Sequence, residues 1–511
     1  MGREPVIGER LILVLDEGTT STRALLYDPS GTVRGMASRP ITQHYPSPGL
    51  VEHDAEEIWA GTLVCAREMV ELAGGADRIA SLGITNQRET VVAWDRVTGK
   101  PLARAIVWQD RRTADLCAEL SERGLGKHIQ VRTGLRLDPY FSATKMGWLA
   151  RQEQVAAAKD RLALGTIDSW LIFKLTKGAF LTDATNASRT LLFTLDGKSW
   201  DEEFTDLFDV PRSALAQVLP TAGSFGSSDT EWFGAPIPIT AAIGDQQSAT
   251  VGQGCLEEGQ TKLTLGTGAF VLTSLDRDKP EDPQNLLGTI LYHVEGTRAY
   301  ALEGSIFVAG SLIKWMRDNL GLLGSAAESE AQARSVDDTG GVSVLPALAG
   351  LGAPYWRPNA RAMIAGLSFS STAAHVVRAA LEAISHQCVD LAQEFARVGA
   401  PWRELRIDGG MSANGWLAQD LATMLRLAVL RPTDVETTAR GAAMLAAVGA
   451  GIHADLQDAM SMLPNVETFE PEPGERLRQQ RLDRWHDLLK IADASSDSKA
   501  SGDSSSDPNS K

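Results

Sequence analysis

Two segments of this chain, about half its length apart, repeat one arrangement: an apolar strand, a glycine-bearing turn rich in hydroxyls, and a second apolar strand. The first runs from Leu11-Ile12-Leu13-Val14-Leu15 through Asp16-Glu17-Gly18-Thr19-Thr20-Ser21-Thr22-Arg23 into Ala24-Leu25-Leu26-Tyr27. The second runs from Thr261-Lys262-Leu263-Thr264-Leu265 through Gly266-Thr267-Gly268 into Ala269-Phe270-Val271-Leu272-Thr273. Short apolar runs joined by a polar, glycine-containing turn read as β-hairpins. Two domains are therefore expected, each opening with the same hairpin, although the flanking sequences do not repeat. The 511 residues leave room for two cores, and the expected bounds are 10–252 and 253–490.

The rest of the pattern is α/β. Asp54, followed by Glu57, reads as a capping box, and Ile58, Thr62, Cys65, Met69 and Leu72 then recur at helical spacing. Residues 79–84 and 91–94 read as strands, Ser305 to Leu320 and Thr372 to Val398 as helices, Leu405-Arg406-Ile407 as a strand, and 416–427 and 438–448 as helices. Residues 494–511 contain eight serines and no large apolar side chain, so a disordered tail is expected there.

Charge narrows the classes of partner. With 49 basic and 65 acidic residues the net charge is −16, which opposes a broad grip on nucleic acid or anionic lipid. The four cysteines are too far apart for zinc spacing, and no apolar stretch approaches the ~20 residues of a membrane span. A cytoplasmic protein is the expectation. There is no GxxxxGK[ST] loop, no HExxH and no GxSxG elbow. Asn186-Ala187-Ser188 matches a glycosylation sequon to which no functional weight attaches.

Several polar clusters have the parts of a site. In the turn Asp16 to Arg23, the glycine lets backbone approach a ligand, hydroxyls and amides donate to phosphate oxygens, Arg23 carries positive charge, and Asp16 suits a hydrated Mg²⁺. A single turn of this kind is equally ordinary hairpin chemistry. Gly266-Thr267-Gly268 in the same setting adds weight, since two facing hairpins hold a polyphosphate from both sides. Asp408-Gly409-Gly410 is a third such turn, open enough for a flat group. Arg88 beside Glu89 offers a donor fork next to an acceptor, which suits a neutral polyol and equally a surface ion pair. Asp245, between a strand-like run and a helix, is either a helix cap or a base for a substrate hydroxyl, and spacing leaves both open. Trp108, Tyr140 and Phe270 are not singled out by spacing, because aromatics are more often core than site.

Together these segments resemble the FGGY family of carbohydrate kinases. The resemblance is carried by Asp16 to Arg23, Gly83 to Thr90, Ile106 to Thr113, Asp138 to Ser142, Gly244 to Gln247, Gly266 to Gly268, Leu351 to Trp356 and Asp408 to Gly410, in the family's order over residues 11–490. It implies two actin-like, ribonuclease H-like α/β domains with ATP and Mg²⁺ in the cleft between them. The activity it implies is phosphorylation of glycerol, with another small polyol or sugar such as erythritol, and then a non-catalytic nucleotide sensor, as alternatives. Transferred residue by residue, Thr19, Thr20, Ser21 and Arg23 meet the phosphates with Thr267 opposite, and Gly310, Lys314, Gly410 and Asn414 line the nucleotide. Arg88, Glu89, Tyr140, Asp245 and Gln246 bind the polyol hydroxyls, with Trp108 and Phe270 on its carbon edge. Asp245 is the implied base, and Asp16 and Asp245 the carboxylates at Mg²⁺. A homo-oligomer, dimer or tetramer, is also expected. Glu17 stands where the family commonly has Gln, bringing an extra carboxylate toward the phosphates, and Lys314 likewise replaces a Gln.

Overall fold

The computed structural model describes residues 10–357 and 359–500. β1 (Leu11–Glu17) and β2 (Ser21–Tyr27) form the first hairpin, with Asp16 opposite Arg23 in the ladder, and β3 (Val33–Pro40) pairs antiparallel with β2. On the other side of β1, β4 (Ile79–Asn86) and β5 (Ile239–Gly244) add in parallel, so the sheet order is β5-β4-β1-β2-β3. Every residue of β1 and β5 is buried, as expected of parallel strands covered on both faces.

The second hairpin, β6 (Gln260–Leu265) and β7 (Ala269–Ser274), sits in a larger sheet with β8 (Leu287–Val294), β9 (Thr297–Ile306), β10 (Glu404–Asp408), β11 (Val429–Pro432) and β12 (Val466–Phe469). The order is β8-β9-β7-β6-β10-β11-β12. Around each hairpin the pairing is alike: antiparallel neighbours on the side of its second strand, one in the first sheet and two in the second, and two parallel neighbours on the side of its first.

Helices cover these sheets. α1 (Ala55–Ala73) begins at Asp54, whose carboxylate accepts from the N–H groups of Glu56 and Glu57, and it buries Ile58, Thr62, Cys65 and Met69. Two details differ from the sequence reading. Leu72 is half exposed, and the Glu57 carboxylate takes the amide and hydroxyl of Thr42 instead of closing a reciprocal box. The segment from Ser305 is also not helical at its start: Ser305 pairs with Phe270 in β9, and α3 (Gly310–Asp318) begins later, because ladder pairing with β7 claims the backbone first. α4 (Ala373–Arg397) and α5 (Gly415–Leu425) pack on each other over the second sheet.

α2 (Asp245–Gly252) and α6 (Thr437–Gly449) join the halves. Although α6 follows β11 of the second sheet in the chain, it lies on β1, β4 and β5 of the first, with Ala439, Ala442, Ala443 and Ala446 against Ile12, Val14, Ala241 and Ile243. A Cβ at Gly441 would sit 1.8 Å from the Ser248 carbonyl oxygen, and one at Gly252 would sit 2.0 Å from that of Thr437. No side chain fits where these two backbones cross. α7 (Glu475–Ala500) takes in residues 494–500, where composition predicts a disordered tail; a helix already nucleated upstream extends at little cost. Residues 501–511 of that tail lie outside the described residues. Among the described residues all four cysteines are free and buried, and no helix is long and apolar enough to cross a membrane.

Candidate active site

The carboxyl ends of β1, β4 and β5 converge, and each carries polar side chains out of a buried strand. β1 delivers Asp16 and Glu17, β4 runs into Gln87, Arg88 and Glu89, and β5 ends at Gly244 with Asp245 opening α2. In open α/β sheets, ligands bind at such strand ends. Glu89 adopts a left-handed backbone at φ 63°, strain that turns its carboxylate inward.

The sequence clusters assemble as follows. Arg88 is 3% exposed, and its Nε lies 3.5 Å from Asp245 Oδ1. Its Nη1 donates to Glu303 Oε2 at 2.6 Å and to Gln247 Oε1 at 3.2 Å, and its Nη2 to Glu303 Oε1 at 3.1 Å. The Tyr140 hydroxyl is 3.5 Å from Nη2. Asp245 Oδ1 accepts the amide N–H of Gln246 at 2.7 Å, and Oδ2 has no hydrogen-bond partner among the described residues. Burial lifts the Asp245 carboxyl to about 6, against the pull of Arg88. The ring of Trp108 meets that of Tyr140 edge to face, with centroids 5.5 Å apart, and its indole N–H donates to Thr19 Oγ1 at 3.0 Å. Lys145, fully buried, donates to the carbonyls of Pro139 and Tyr140 and fixes that loop; burial brings its ammonium down to about 8.

The phosphate-turn candidates are close by. Thr19, Thr20 and Ser21 are at least partly open, and Thr267, on the second hairpin, is exposed. Arg23 lies between two carboxylates, Asp16 and Glu436, so its direct contact with a phosphate requires those pairs to exchange. Glu17 does not bring the charge its sequence position suggests. It is 1% exposed, Thr62 Oγ1 donates to Oε1 at 2.7 Å, Oε2 has no hydrogen-bond partner among the described residues, and burial pushes the carboxyl to about 8. At neutral pH it is a neutral acid, close in character to the amide it replaces.

The nucleotide-side candidates are more spread out. Gly310 starts α3 against the backbone of Gly266, Lys314 on the same helix is exposed, Gly410 is exposed, and Asn414 is buried, capping α5 by accepting from Leu417 N. A cavity of about 600 Å³ runs past Arg23, Asp408, Gly409, Gly410 and Arg431. Asn186 of the sequon is fully buried and bonded to Asn86, out of reach of a glycosylating enzyme.

Three charged residues that sequence reasoning did not single out complete the site. Arg189, fully buried, donates to Glu89 Oε1 at 2.7 Å and to Glu303 Oε1 at 3.2 Å. Against the cost of burial, Arg189 and Arg88 hold Glu303 down to about 2. Lys262, also fully buried, donates to Gln246 Oε1 at 2.7 Å. Ladder register puts Lys262, Phe270 and Glu303 on one face of the second sheet: Lys262 and Glu303 both lie opposite Leu272, and Phe270 is two residues along that strand. For Lys262 and Glu303 the signal available beforehand was a charged residue interrupting a buried strand pattern; Arg189 lies in the turn after Ala184–Ala187, where no such pattern marks it.

A family model for the N-terminal domain of the FGGY family of carbohydrate kinases matches residues 11–252, and the model for the C-terminal domain of that family matches residues 261–450. The chain is 48% identical over 489 residues to a glycerol kinase of Citrifermentans bemidjiense, covering 94% of this chain and 98% of that one. It is 46% identical to a glycerol kinase of Rhizobium rhizogenes at the same coverage. A solved structure of Plasmodium falciparum glycerol kinase with ADP superimposes with a TM-score of 0.90 at 34% identity, covering 95% of this chain and 98% of that one. A xylulose kinase from Lactobacillus acidophilus, at 21% identity and a TM-score of 0.86, shares the fold.

Proposed function

This chain belongs to the FGGY family of carbohydrate kinases, an ATP-dependent phosphotransferase by descent, and on that premise we propose that it phosphorylates glycerol to sn-glycerol 3-phosphate. The observation that carries the reading is the meeting of Arg88, Glu89, Tyr140, Trp108 and Asp245 beside the Thr19 turn. A polyol hydroxyl both donates and accepts. Arg88 supplies donors, Glu89 and Asp245 supply acceptors, and the Trp108 ring offers an apolar edge for the carbons.

Asp245 acts as the general base. Its Oδ1 is held by Gln246 N–H, so Oδ2 receives the proton from the attacking hydroxyl. A carboxyl near 6 is mostly ionised at neutral pH, and more basic than an unperturbed Asp. Thr19, Thr20 and Ser21 bind phosphate oxygens from the first hairpin, and Thr267 does so from the second. Gly310, Lys314, Gly410 and Asn414 line the nucleotide. Trp108, bonded to Thr19, ties the polyol wall to the phosphate turn, so the two substrates are oriented together.

Asp16 and Asp245, both carboxylates at strand ends of the first sheet, are the residues that would hold Mg²⁺ together with phosphate oxygens. When bound, the ion neutralises phosphate charge during transfer. We also take the chain to work as two domains, 10–252 and 253–490, closing on the substrates. The test is ADP formation by purified protein with ATP, Mg²⁺ and a panel of glycerol, erythritol and xylulose. Glycerol is expected to give the highest kcat/KM; a higher value for another polyol, or no turnover with any, overturns the reading.

A further inference from the structure

Lys262 is a buried cation. It lies within β6, is 0% exposed, and among the described residues its hydrogen bonds go to neutral oxygens: Gln246 Oε1 at 2.7 Å and Thr264 Oγ1 at 2.8 Å. An ammonium has three N–H donors, so one remains. No carboxylate forms an ion pair with it among the described residues. The acidic groups that act on it from farther away are Asp408, Asp245 and Glu303, with Arg88 opposing them, and Asp408 Oδ1 is itself buried with no hydrogen-bond partner among the described residues. Burial weakens the Lys262 ammonium against the pull of these three carboxylates.

Desolvating a charge without pairing it is costly, and Met or Leu would fill β6 without that cost. The three carboxylates offset part of that cost without bonding to the ammonium, and its third N–H donor is left for something that enters the site. Lys262 shares its sheet face with Phe270, and it touches the side chain next in sequence to Asp245. It thus reaches from the second sheet to the start of α2, beside Asp245.

We propose that Lys262 is a positioning residue for phosphoryl transfer: its ammonium fixes the Gln246 amide beside Asp245 and sets a positive charge on the second sheet's side of the cleft, where the transferred group crosses. This rests on the kinase reading above. The Gln246 oxygen is occupied by Lys262, so its NH₂ group is the part left to face a substrate oxygen.

The experiment compares wild type with Lys262→Met, Lys262→Arg and Lys262→Ala. Replacing an unpaired buried ammonium by Met is expected to leave the melting temperature unchanged or raise it, whereas loss of a purely structural residue lowers it. Turnover with glycerol is expected to fall about 100-fold or more in Lys262→Met, with KM for ATP changing less than threefold, as for loss of a preorganised electrostatic group. Lys262→Arg should recover part of that loss. Lys262→Ala should be rescued saturably by ethylammonium and not by tetramethylammonium, which has no N–H. Turnover of Lys262→Met within about threefold of wild type, or a folded Lys262→Ala protein that binds ADP yet shows no amine rescue, overturns the inference while leaving the kinase reading intact. Wild type without polyol-dependent ADP formation overturns both.

Discussion

The indole N–H of Trp108 donates to the hydroxyl of Thr19, 3.0 Å away. One residue lies on the proposed wall of the polyol site, the other in the turn proposed to bind phosphates, and they are 89 residues apart in the chain. This hydrogen bond links the two proposed subsites, and the expected consequence is that occupancy of one is felt in the other, favouring transfer to the polyol over hydrolysis.

Trp108→Phe keeps an aromatic ring and removes the donor. A neutral hydrogen bond is worth about 1 kcal/mol, so kcat/KM for glycerol should fall about five- to tenfold. Glycerol-independent ATP hydrolysis should rise relative to phosphorylation. The two rates, measured by ADP release with and without glycerol, check both points; an unchanged ratio would show that the bond does not couple the subsites.

Asp245→Asn removes the proposed base while keeping its size. Turnover should fall about 10²- to 10⁴-fold with little change in melting temperature. The base works when ionised, so wild-type kcat/KM for glycerol should decline as pH falls through about 6. Rate profiles across pH 5 to 8 test this, and the acid limb should be absent from the residual activity of the variant.

Glu303→Gln breaks a fully buried pair and leaves Arg88 and Arg189 short of charge. Such losses cost about 3–5 kcal/mol, read by urea denaturation. The pH dependence has a definite sign. The folded carboxyl is held at about 2, below its ordinary 4.5, so its contribution to stability is full above the ordinary value and is lost as pH falls from there toward 2. The variant should show a flatter fall in stability over that range. A Glu303→Gln protein as stable as wild type at pH 7 would remove the pair from the stabilising set.

Gly441→Ala puts a methyl group where the Ser248 carbonyl oxygen stands 1.8 Å away. Backbone cannot yield cheaply, and overpacking of this kind costs about 1–3 kcal/mol or more. Gly126→Ala, where a Cβ meets nothing within 4 Å, is the control and should stay within about 0.5 kcal/mol of wild type. Thermal melts of the two variants separate the helix crossing from a general effect of losing glycine.

The parts legible in the sequence were local. The two hairpins, the capped α1 and the strand-to-turn exits at Asp16, Arg88 and Asp245 follow from apolar periodicity and turn chemistry, which act over a few residues. Where a longer-range force competed, the local reading slipped: Ser305 looks helical until β7 pairs with it, and Glu17 looks like a charge until its burial is known.

Sequence alone determined the two hairpins and most of the helices around them, and so which polar groups stand at the ends of the first strands. Tertiary structure alone decided what faces them. Period-two alternation puts Lys262 and Glu303 on a face of the second sheet, but nothing local says that Glu303 meets an arginine 215 residues away, or that Lys262 forms no ion pair among the described residues. The same holds for α6, whose alanine- and glycine-rich face fits any close backbone; only the packed molecule sets it on the first sheet, where Gly441 and Gly252 let two helix backbones touch.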